Sequence, residues 1–252
     1  MKATRTPTQI QSVNRAAHVL EMVARSGGLR ASEIAARLEI PLPTAFHLLS
    51  TLTESGLLEK LDDRRYQLGP KVGLLAEAFA AQISAPEYLL TCLRELADRT
   101  GETAYLSAWR RGDAVLLSII DGRRAVRVSG LHLGYSGLTH ARASGKVLLA
   151  FGANGALDDY IERHQIDGAD GGPDPASLRE EIATVQVAGY AIDEEQFAEG
   201  VSCVAAPVAD GSMAMGISAP TERFREYRDD LIGMVVEVSS KTINPSLRSA
   251  SA

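Results

Sequence analysis

The sequence predicts an α+β protein of two domains, a small helical head followed by a larger domain built on a largely antiparallel sheet. Three short amphipathic helix patterns and a hairpin pattern lie within the first 69 of 252 residues. Gly69-Pro70 then marks a boundary between the two domains. Beyond this break, strand and helix patterns follow one another without the regular βαβ rhythm of a parallel sheet, which favours antiparallel pairing.

Composition excludes several classes of protein. Hydrophobic residues make up 45% and charged residues 23% of the chain, as in ordinary soluble proteins. No apolar run approaches the ~18 residues of a membrane span, and the first residues, MKATRTPTQIQ, lack the apolar region of a secretory signal. We therefore expect a cytoplasmic protein. Cys92 and Cys203 lie too far apart to indicate a disulfide framework or a metal knuckle.

Charge is distributed unevenly along the chain, whose formal net charge is −6. Residues 1–70 hold nine Lys/Arg and seven Asp/Glu, whereas residues 71–252 hold 17 and 25. A mildly cationic head on an acidic body is typical of a nucleic-acid-binding module joined to a domain with another partner.

Two helices are predicted first in the head, after residues 1–9, which we expect to be disordered. Ser12 is a candidate cap for the first helix. Its apolar residues share one face: Val13, Ala16, Ala17, Leu20 and Val23. Ser26-Gly27-Gly28 ends this helix. A second, short helix after Ser32 has three apolar positions: Ile34, Ala35 and Leu38.

A third helix begins near Pro41 and Pro43, because proline suits the entrance of a helix and not its interior. Apolar residues then recur at three- and four-residue spacing: Ala45, Leu48, Leu49, Leu52 and Leu57. The opposite face is mostly short and polar: Thr44, Phe46, His47, Ser50, Thr51 and Glu54. Gly56 ends the helix, where a left-handed residue is favoured.

A β-hairpin wing completes the head. Leu57–Leu61 and Arg64–Leu68 are the predicted strands, with a turn at Asp62-Asp63. Three helices and a hairpin in this order predict a winged helix-turn-helix, whose short polar side chains approach phosphates and base edges. The candidate DNA contacts are Arg15, Thr44, Phe46, His47, Ser50, Thr51, Arg64 and Arg65. The spacing alone is also compatible with a helix and a hairpin that only pack within an ordinary small α+β domain and do not contact DNA.

The predicted organisation is a DNA-binding domain over residues 1–69, a linker helix over 70–84 and a second domain over 85–252. In the second domain we first expect a helix through Leu89–Ala97, a hairpin with its turn at Arg110–Asp113 and a strand at Ala125–Ser129. Three helices should follow, one from Ser144, one over Leu157–His164 and one over Ala176–Ala188. The last strands expected are a hairpin of Val201–Val208 with Met213–Ser218. One long helix from Thr221 closes the chain, with a single apolar face: Phe224, Tyr227, Leu231, Met234, Val235 and Val238.

With these patterns in place, the chain resembles the IclR family of bacterial transcriptional regulators over nearly its full length. The matching segments are SVNRAAHVLEMV, PLPTAFHLLSTLTESGLLEK, RRYQLGPKVGLLA, HARASGKVLLA, GYAIDEEQFAEGVSCVAAPV and ISAP. The resemblance implies a winged helix-turn-helix, a linker helix used for dimerisation and a C-terminal GAF-like domain that binds a small effector. Family members act on operator DNA as dimers or tetramers, and as repressors or activators.

One departure from the family lies at the start of the reading helix. The family usually has Lys-Ser-Thr-Val-His-Arg there, whereas this chain has Leu42-Pro43-Thr44-Ala45-Phe46-His47. Two cationic positions have become Leu42 and His47, which removes phosphate or guanine contacts. We expect an operator unlike the common ones, with wing residues Arg64 and Arg65 carrying some of the lost charge.

The effector site is expected near Arg142–Lys146, where small residues open a helix whose free N–H groups suit a carboxylate. It is no P-loop, because the upstream glycine is missing and Val147 replaces Ser/Thr. The resemblance places five residues around the effector: Ala143, Ser144, Asp193, Cys203 and Ser218. We add Gly145 from the same run, with Leu131 and Leu133 as apolar wall. The family's pocket glycine is Ala143 here, and a second serine is Gly216, which argues against the smallest keto acids.

No catalytic or metal site is predicted. Apolar neighbours raise the pKa of Cys203, and His132 and His140 lack partners at metal-ligand spacing. No nucleophile, base and orienting group can be assembled, so we expect neither an enzyme nor a cofactor. Plainer interpretations stay open: Cys203 as a small buried residue, Asp193 as a strand end, and Lys146 paired with an acid.

The main hypothesis is a transcriptional regulator, repressor or activator, controlled by a small organic acid or aromatic effector. Its partners would be double-stranded operator DNA, an effector that carries a carboxylate, and further copies of the chain in a homodimer or dimer of dimers. Two alternatives remain: a GAF-like sensor or hydrolase whose head binds a protein, and an architectural DNA binder with a sealed second domain.

Overall fold

The computed structural model describes residues 10–82, 85–128, 131–152, 155–168 and 172–242. The chain divides into two compact units, and the division falls after Gln82. The disorder expected for residues 1–9 lies outside the described residues. Within the described ranges, no helix combines the length and the apolar character that crossing a membrane requires.

The head contains three helices and a small antiparallel sheet. The helices are α1 (Gln11–Ser26), α2 (Ala31–Arg37) and α3 (Leu42–Glu54). The strands are β1 (Leu29–Arg30), β2 (Leu58–Lys60) and β3 (Arg65–Leu68), in the spatial order β1-β3-β2. The predicted wing is therefore present, and β1 adds a third strand to it that the sequence pattern did not indicate.

The first helix differs from its prediction. It begins at Gln11 after Ile10, so Ser12 lies inside the helix and does not cap it. Only Val19 and Val23 are buried, while Val13 is 60% exposed. The reason is that only the C-terminal half of α1 packs on the core of the head, so the apolar pattern at its start has no surface to cover.

The third helix follows its prediction closely. Ala45, Leu49 and Leu52 are buried, and they pack against α2 and the wing. Proline at the second helical position and Gly56 at φ +76° after the last turn mark its ends. The opposite face is exposed along its length.

After the wing, α4 (Pro70–Gln82) leaves the head as a helix with no buried residue. Its large apolar side chains Leu74, Leu75 and Phe79 are 64%, 54% and 41% exposed. The last two residues of the predicted linker, 83 and 84, lie outside the described residues.

The second unit is built on a five-stranded antiparallel sheet in the order β5-β4-β8-β7-β6. Its strands are β4 (Thr103–Arg110), β5 (Asp113–Ile120), β6 (Ala191–Glu194), β7 (Val201–Val208) and β8 (Met213–Pro220). Its helices are α5 (Glu87–Thr100), α6 (Ala143–Phe151), α7 (Ala156–His164), α8 (Pro175–Ala188), α9 (Thr221–Glu226) and α10 (Arg228–Ser240). The expected α+β class with an antiparallel sheet is confirmed.

Helices cover both faces of this sheet. Side chains alternate along its strands, so neighbouring residues of one strand face different cores. Leu106 and Val204 face a core formed with α5, α9 and α10. Tyr105 and Cys203 face a second core formed with α6, α7 and α8. The candidate effector residues lie on this second face.

The strand expected at Ala125–Ser129 was wrong: residues 125–128 form no strand, and Ser129 lies outside the described residues. Ion pairs of Arg123 with Asp98 on α5 and of Arg124 with Glu102, just before β4, hold the preceding segment in place. The outer edge of β5 is instead bonded at Leu116, which exchanges backbone hydrogen bonds with residues 134 and 135.

The single C-terminal helix was also wrong, because the chain breaks at Tyr227 into α9 and α10. Tyr227 has φ −115° and ψ 26° and is 43% exposed, so it is not part of the buried face. The break allows Phe224 and Leu231, on either side of it, to reach the same core.

Candidate functional site

The exposed face of α3 carries five of the eight predicted DNA contacts. Thr44, His47, Ser50 and Thr51 are exposed, and Phe46 is 49% exposed despite its aromatic ring. The buried stripe on the other side anchors the helix to the head. A rigid helix whose short side chains face solvent can enter the major groove of B-DNA.

A groove runs from this face to the wing. It is bounded by Leu42 and Phe46 on α3 and by Arg64 on the wing, and it also contains Arg30 and Lys60. Lys60 was not among the predicted contacts, although its place in a wing strand could have indicated it. The two exposed apolar side chains therefore lie in a groove that is lined by three cations and one carboxylate, Asp63. Such a surface can contact phosphates through its cations and base methyl groups through its apolar side chains.

The other flank of α3 faces α1. Arg15, Thr44, His47 and Thr51 line one shallow surface there. Arg15 is half-buried by this arrangement. Thr51 donates its hydroxyl to the His47 carbonyl oxygen at 2.9 Å, so its methyl group remains for contact with a partner.

Two further predicted contacts, besides Thr51, form hydrogen bonds within the head. Arg65 donates through Nε to the Asp63 carboxylate at 2.6 Å, and the Arg65 backbone N–H also bonds Asp63 at 3.1 Å. Ser50 donates to Glu54 at 3.2 Å. The ion pair lowers the charge that Arg65 offers to a phosphate, whereas Arg64, at φ +64°, has no carboxylate within ion-pair distance among the described residues.

The second unit contains a cavity of about 260 Å³ between the sheet and α6. Six of the residues predicted for effector binding line it together: Leu131, Ala143, Ser144, Asp193, Cys203 and Ser218. The other lining residues, which sequence reasoning missed, are Tyr105, Leu116, Val128, Tyr135, Arg142, Phe197, Ala198 and Val201. Arg142 is the first residue of the predicted run Arg142–Lys146 but was not named as a contact, and Tyr105 alternates inward along its strand, so both had a local indication.

Two predicted effector residues do not line this cavity. Leu133 is 48% exposed in the loop after β5. Gly145 is inside the unit but has a packing role, because a Cβ there would overlap the Thr139 carbonyl oxygen. The absence of a side chain lets the 3₁₀ turn Thr139–Ala141 lie directly against α6.

The two serine hydroxyls of the cavity each have a hydrogen-bond partner within the protein. Ser107 on β4 donates to Ser144 at 3.1 Å, which joins the sheet to the first turn of α6. Cys203 and Ser218 share a hydrogen bond of 3.2 Å. Burial, followed by the neighbouring charge of Asp193, raises the pKa of the Cys203 thiol to about 12. The thiol is therefore protonated at neutral pH and is no nucleophile.

Arg142 is a buried cation at the N-terminus of α6, where it directly precedes the first helical residue. Only 8% of it is exposed, and it lies 5.1 Å from the centre of the Tyr135 ring. One terminal nitrogen donates to the Ala114 carbonyl oxygen, while Nε has no partner among the described residues. Burial lowers the pKa of Arg142, but a guanidinium remains charged in proteins.

Asp193 on β6 is 1% exposed. Its Oδ1 accepts hydrogen bonds from the backbone N–H groups of Gln196 at 2.9 Å and Phe197 at 3.2 Å. Its Oδ2 has no partner among the described residues. Burial raises the pKa of this carboxyl, although the two backbone N–H groups and the cations Lys146 and Arg142 oppose the rise.

Lys146, in contrast, is satisfied by the protein. It lies 2.5 Å from the Glu181 carboxylate and donates to the Ile192 carbonyl oxygen at 3.1 Å and to the Gln196 amide. The interpretation of Lys146 as a structural ion pair thus agrees with its position. It ties α6 to α8 and to the segment after β6, outside the cavity.

A helix-turn-helix face on one unit and a partly charged cavity in the other are the features of a DNA-binding regulator with a ligand-binding domain. Family models agree with this class: the IclR helix-turn-helix domain matches residues 12–62, and the bacterial transcriptional regulator IclR C-terminal domain matches residues 85–243. The chain belongs to the IclR family of transcriptional regulators, and its C-terminal domain is the ligand-binding domain of that family.

Curated relatives extend over most of the chain. The HTH-type transcriptional regulator BhcR of Paracoccus denitrificans is 33% identical over 87% of this chain and 81% of its own length. The transcriptional repressor IclR of Escherichia coli is 25% identical over 93% of this chain and 89% of its own length. Both relatives are named as regulators rather than enzymes.

Solved structures show the same fold. Thermotoga maritima IclR aligns with a TM-score of 0.66 at 24% identity, covering 93% of this chain and 99% of that one. A putative IclR regulator from Silicibacter aligns with a TM-score of 0.58 at 26% identity, covering 93% and 98%.

Proposed function

We propose that this regulator binds operator DNA through α3 and the wing, and that a small organic acid or aromatic compound in the cavity changes that binding. The observation that carries the proposal is the buried Arg142 cation on the cavity wall, which has no carboxylate within ion-pair distance among the described residues. A ligand carboxylate would supply the counter-charge.

The proposed DNA contacts are the eight residues predicted from the sequence, with Arg30 and Lys60 added from the groove beside the wing. Cationic residues at its rim would contact phosphates, and Phe46 and Leu42 would contact base edges. The absence of the family's two cations at positions 42 and 47 shifts the reading of the operator toward apolar contact.

We also propose that the chain works as a homodimer or as a dimer of dimers. The exposed apolar side chains of α4 support this assembly, since a helix that buries nothing within its own unit is stabilised by packing against a partner. Two heads would then read two half-sites about one helical turn apart, or a multiple of it. The place of action is the cytoplasm, where bacterial DNA lies.

Effector binding would act on an existing equilibrium between arrangements of the two heads. A ligand shifts such an equilibrium only as far as its affinities for the arrangements differ. Repression or activation follows from which arrangement the effector favours and from where the operator lies, so both signs of regulation fit the same molecule.

The test is DNA binding by the full-length protein to its own promoter region, measured by fluorescence anisotropy at several salt concentrations. We expect sequence-preferring binding that weakens steeply with salt, because cations contact phosphates. Arg64→Ala should reduce the affinity, whereas Arg94→Ala, which removes an exposed arginine of the second unit, should not. Binding that ignores both sequence and salt would refute the proposal.

The two other candidate functions make different predictions. A sensor or hydrolase whose head binds a protein would keep its biological activity with mutations on the DNA face of α3. An architectural DNA binder would show no change in melting temperature with any small acid or aromatic compound, whereas a bound ligand at about 100 times its Kd stabilises by ~2.7 kcal/mol.

A further inference from the structure

The cavity contains two buried side chains of opposite charge whose hydrogen bonding is incomplete. Arg142 is 8% exposed and its Nε has no partner, and Asp193 is 1% exposed and its Oδ2 has no partner. In the part of the chain that the structure describes, neither residue forms an ion pair within 4.0 Å. Buried charges are normally paired, since an unpaired one destabilises the fold.

The fold does not need these unfilled atoms. The first turn of α6 is joined to β4 by the hydrogen bond between Ser144 and Ser107. The segment after β6 is held by Oδ1 of Asp193 alone, which binds two backbone N–H groups. Both residues line the cavity, so a ligand there would lie beside two buried charges that the protein itself leaves without a counter-charge.

We propose that the effector is a hydroxylated carboxylic acid with an apolar body, whose carboxylate pairs with the guanidinium of Arg142 and whose hydroxyl donates to Asp193. This inference rests on the proposed function, in that an effector occupies this cavity. The orientation follows from charge: the reverse placement would bring the ligand carboxylate against Asp193 and leave Arg142 with a weaker neutral acceptor.

A hydroxyl fits the Asp193 end better than an ammonium group. Oδ2 is one acceptor, which suits one O–H donor, whereas an ammonium has three N–H donors to satisfy. The neighbouring polar groups of Cys203 and Ser218 are already bonded to each other at 3.2 Å. An α-amino acid would therefore enter the cavity with unpaired donors, which is unfavourable in a buried site.

The body of the effector is apolar and compact. Leu116, Leu131 and Val201 contribute aliphatic side chains to the cavity wall. The cavity volume, about 260 Å³, is just below the range of ~300–1,000 Å³ for drug-sized ligands, so a single ring or a short branched chain fits it.

The experiment is titration calorimetry of the full-length protein with matched pairs of acids that differ only in the hydroxyl. The pairs are lactate and propionate, 4-hydroxybenzoate and benzoate, 4-hydroxyphenylacetate and phenylacetate, and 4-hydroxycinnamate and cinnamate. The corresponding amides and the amino acid phenylglycine complete the panel. We expect at least one hydroxy acid to bind about tenfold or more tightly than its partner without the hydroxyl, and the amide to lose most of this affinity.

Two substitutions test which side chain binds the carboxylate of the ligand and which binds its hydroxyl. Asp193→Asn keeps the oxygen that holds the backbone of Gln196 and Phe197, and it should reduce the preference for the hydroxyl to below about threefold. Arg142→Met should reduce the preference for acid over amide in the same way. Leu133→Ala, outside the cavity, is the matched control and should leave both preferences unchanged. If Arg142→Met does not fold, the Asp193→Asn result decides alone.

Binding without a preference for the hydroxyl, a preference that survives Asp193→Asn, tightest binding by phenylglycine, or no binding by any acid of the panel would each overturn the proposal. The proposed function fails separately. Operator binding is measured on the ligand-free protein, so a protein that shows the hydroxyl preference but binds no DNA would contradict the function and leave the ligand class standing.

Discussion

The hydroxyl oxygen of Tyr105 lies 2.9 Å from the position that a Cβ atom at residue 216 would occupy. Gly216 on β8 pairs directly with Tyr105 on β4. The same Cβ would overlap the Val204 carbonyl oxygen from the other neighbouring strand. The structure therefore leaves no room for a side chain at this position, where the sequence comparison led us to expect a pocket serine in the family. The buried Tyr105 lines the cavity beside it.

Replacing Gly216 should consequently damage the second unit. We expect Gly216→Ser to lower the free energy of unfolding by about 2–3 kcal/mol, as overpacking of a core does, with loss of ligand binding. Thermal unfolding of the full-length protein measures it. Tyr105→Phe removes the phenol oxygen, so the double variant Gly216→Ser/Tyr105→Phe should recover part of the loss; no recovery would show that the carbonyl contact alone matters.

Gly145 offers a second packing test. Gly145→Ala would drive a methyl group into the Thr139 carbonyl oxygen and separate the 3₁₀ turn from α6. We expect a loss of several degrees in melting temperature, for which ~1 kcal/mol corresponds to about 2–4 °C in a protein of this size. Gly233→Ala on α10 is the control, since nothing lies within 4 Å of that added carbon. Equal melting temperatures for the two variants would contradict the packing role.

Asp193 makes a prediction about pH. Burial raises the pKa of its carboxyl in the folded protein, so its contribution to stability is fully present below the unfolded pKa and is lost as pH rises through the folded pKa. Asp193→Asn should therefore raise the melting temperature of the ligand-free protein at pH 7, by about 2–4 °C if ~1 kcal/mol is recovered. The gain should shrink toward pH 4. A gain that grows on acidification would show that the carboxylate stabilises the fold when ionised.

Glu102 is a buried carboxylate that the structure does satisfy. It is 1% exposed and accepts two bonds from Arg223, at 2.5 and 2.7 Å, while Arg124 approaches to 3.1 Å. Glu102→Ala should reduce the free energy of unfolding by about 3 kcal/mol, the lower end for breaking a buried pair, since Arg223 is partly exposed. Glu87→Ala, which removes an exposed pair with Arg94, should change it by less than ~1 kcal/mol. Denaturant titration distinguishes the two.

The groove beside the wing predicts two kinds of DNA contact. Phe46→Ala should weaken binding to the promoter DNA without changing its dependence on salt, because an apolar contact releases no counter-ions. Arg64→Ala should weaken binding to all sequences and reduce the slope of log affinity against log salt by about one. Anisotropy titrations at several salt concentrations give both values. A change in the salt slope for Phe46→Ala would contradict the prediction that this ring makes only an apolar contact with the DNA.

The head was largely predictable because its determinants are local. The prolines before α3, the three- and four-residue spacing of its leucines and Gly56 after it place the helix and its exposed face without tertiary information. The hairpin of β4 and β5, with its turn at Arg111-Gly112, was equally readable. Such features depend on the preferences of neighbouring residues, and these survive in any fold that contains the segment.

Predictions from the local apolar pattern were wrong where tertiary packing decides which apolar residues are buried. Val13 continues the stripe of α1, yet the core of the head ends before it. Tyr227 continues the stripe of the last helix, yet the chain breaks there so that its neighbours reach the core. Residues 125–128 alternate like a strand but form none, and ion pairs tie the preceding segment to Asp98 and Glu102.

The sequence by itself determined the class of the molecule, a winged head before an antiparallel ligand-binding domain, and it named six of the residues that line the cavity. Only the tertiary structure brought Arg142 and Asp193 to one cavity and left an atom of each unbonded. The physical reason is that side-chain pairing across a sheet and a helix depends on distances between segments about 50 residues apart, which no local preference encodes.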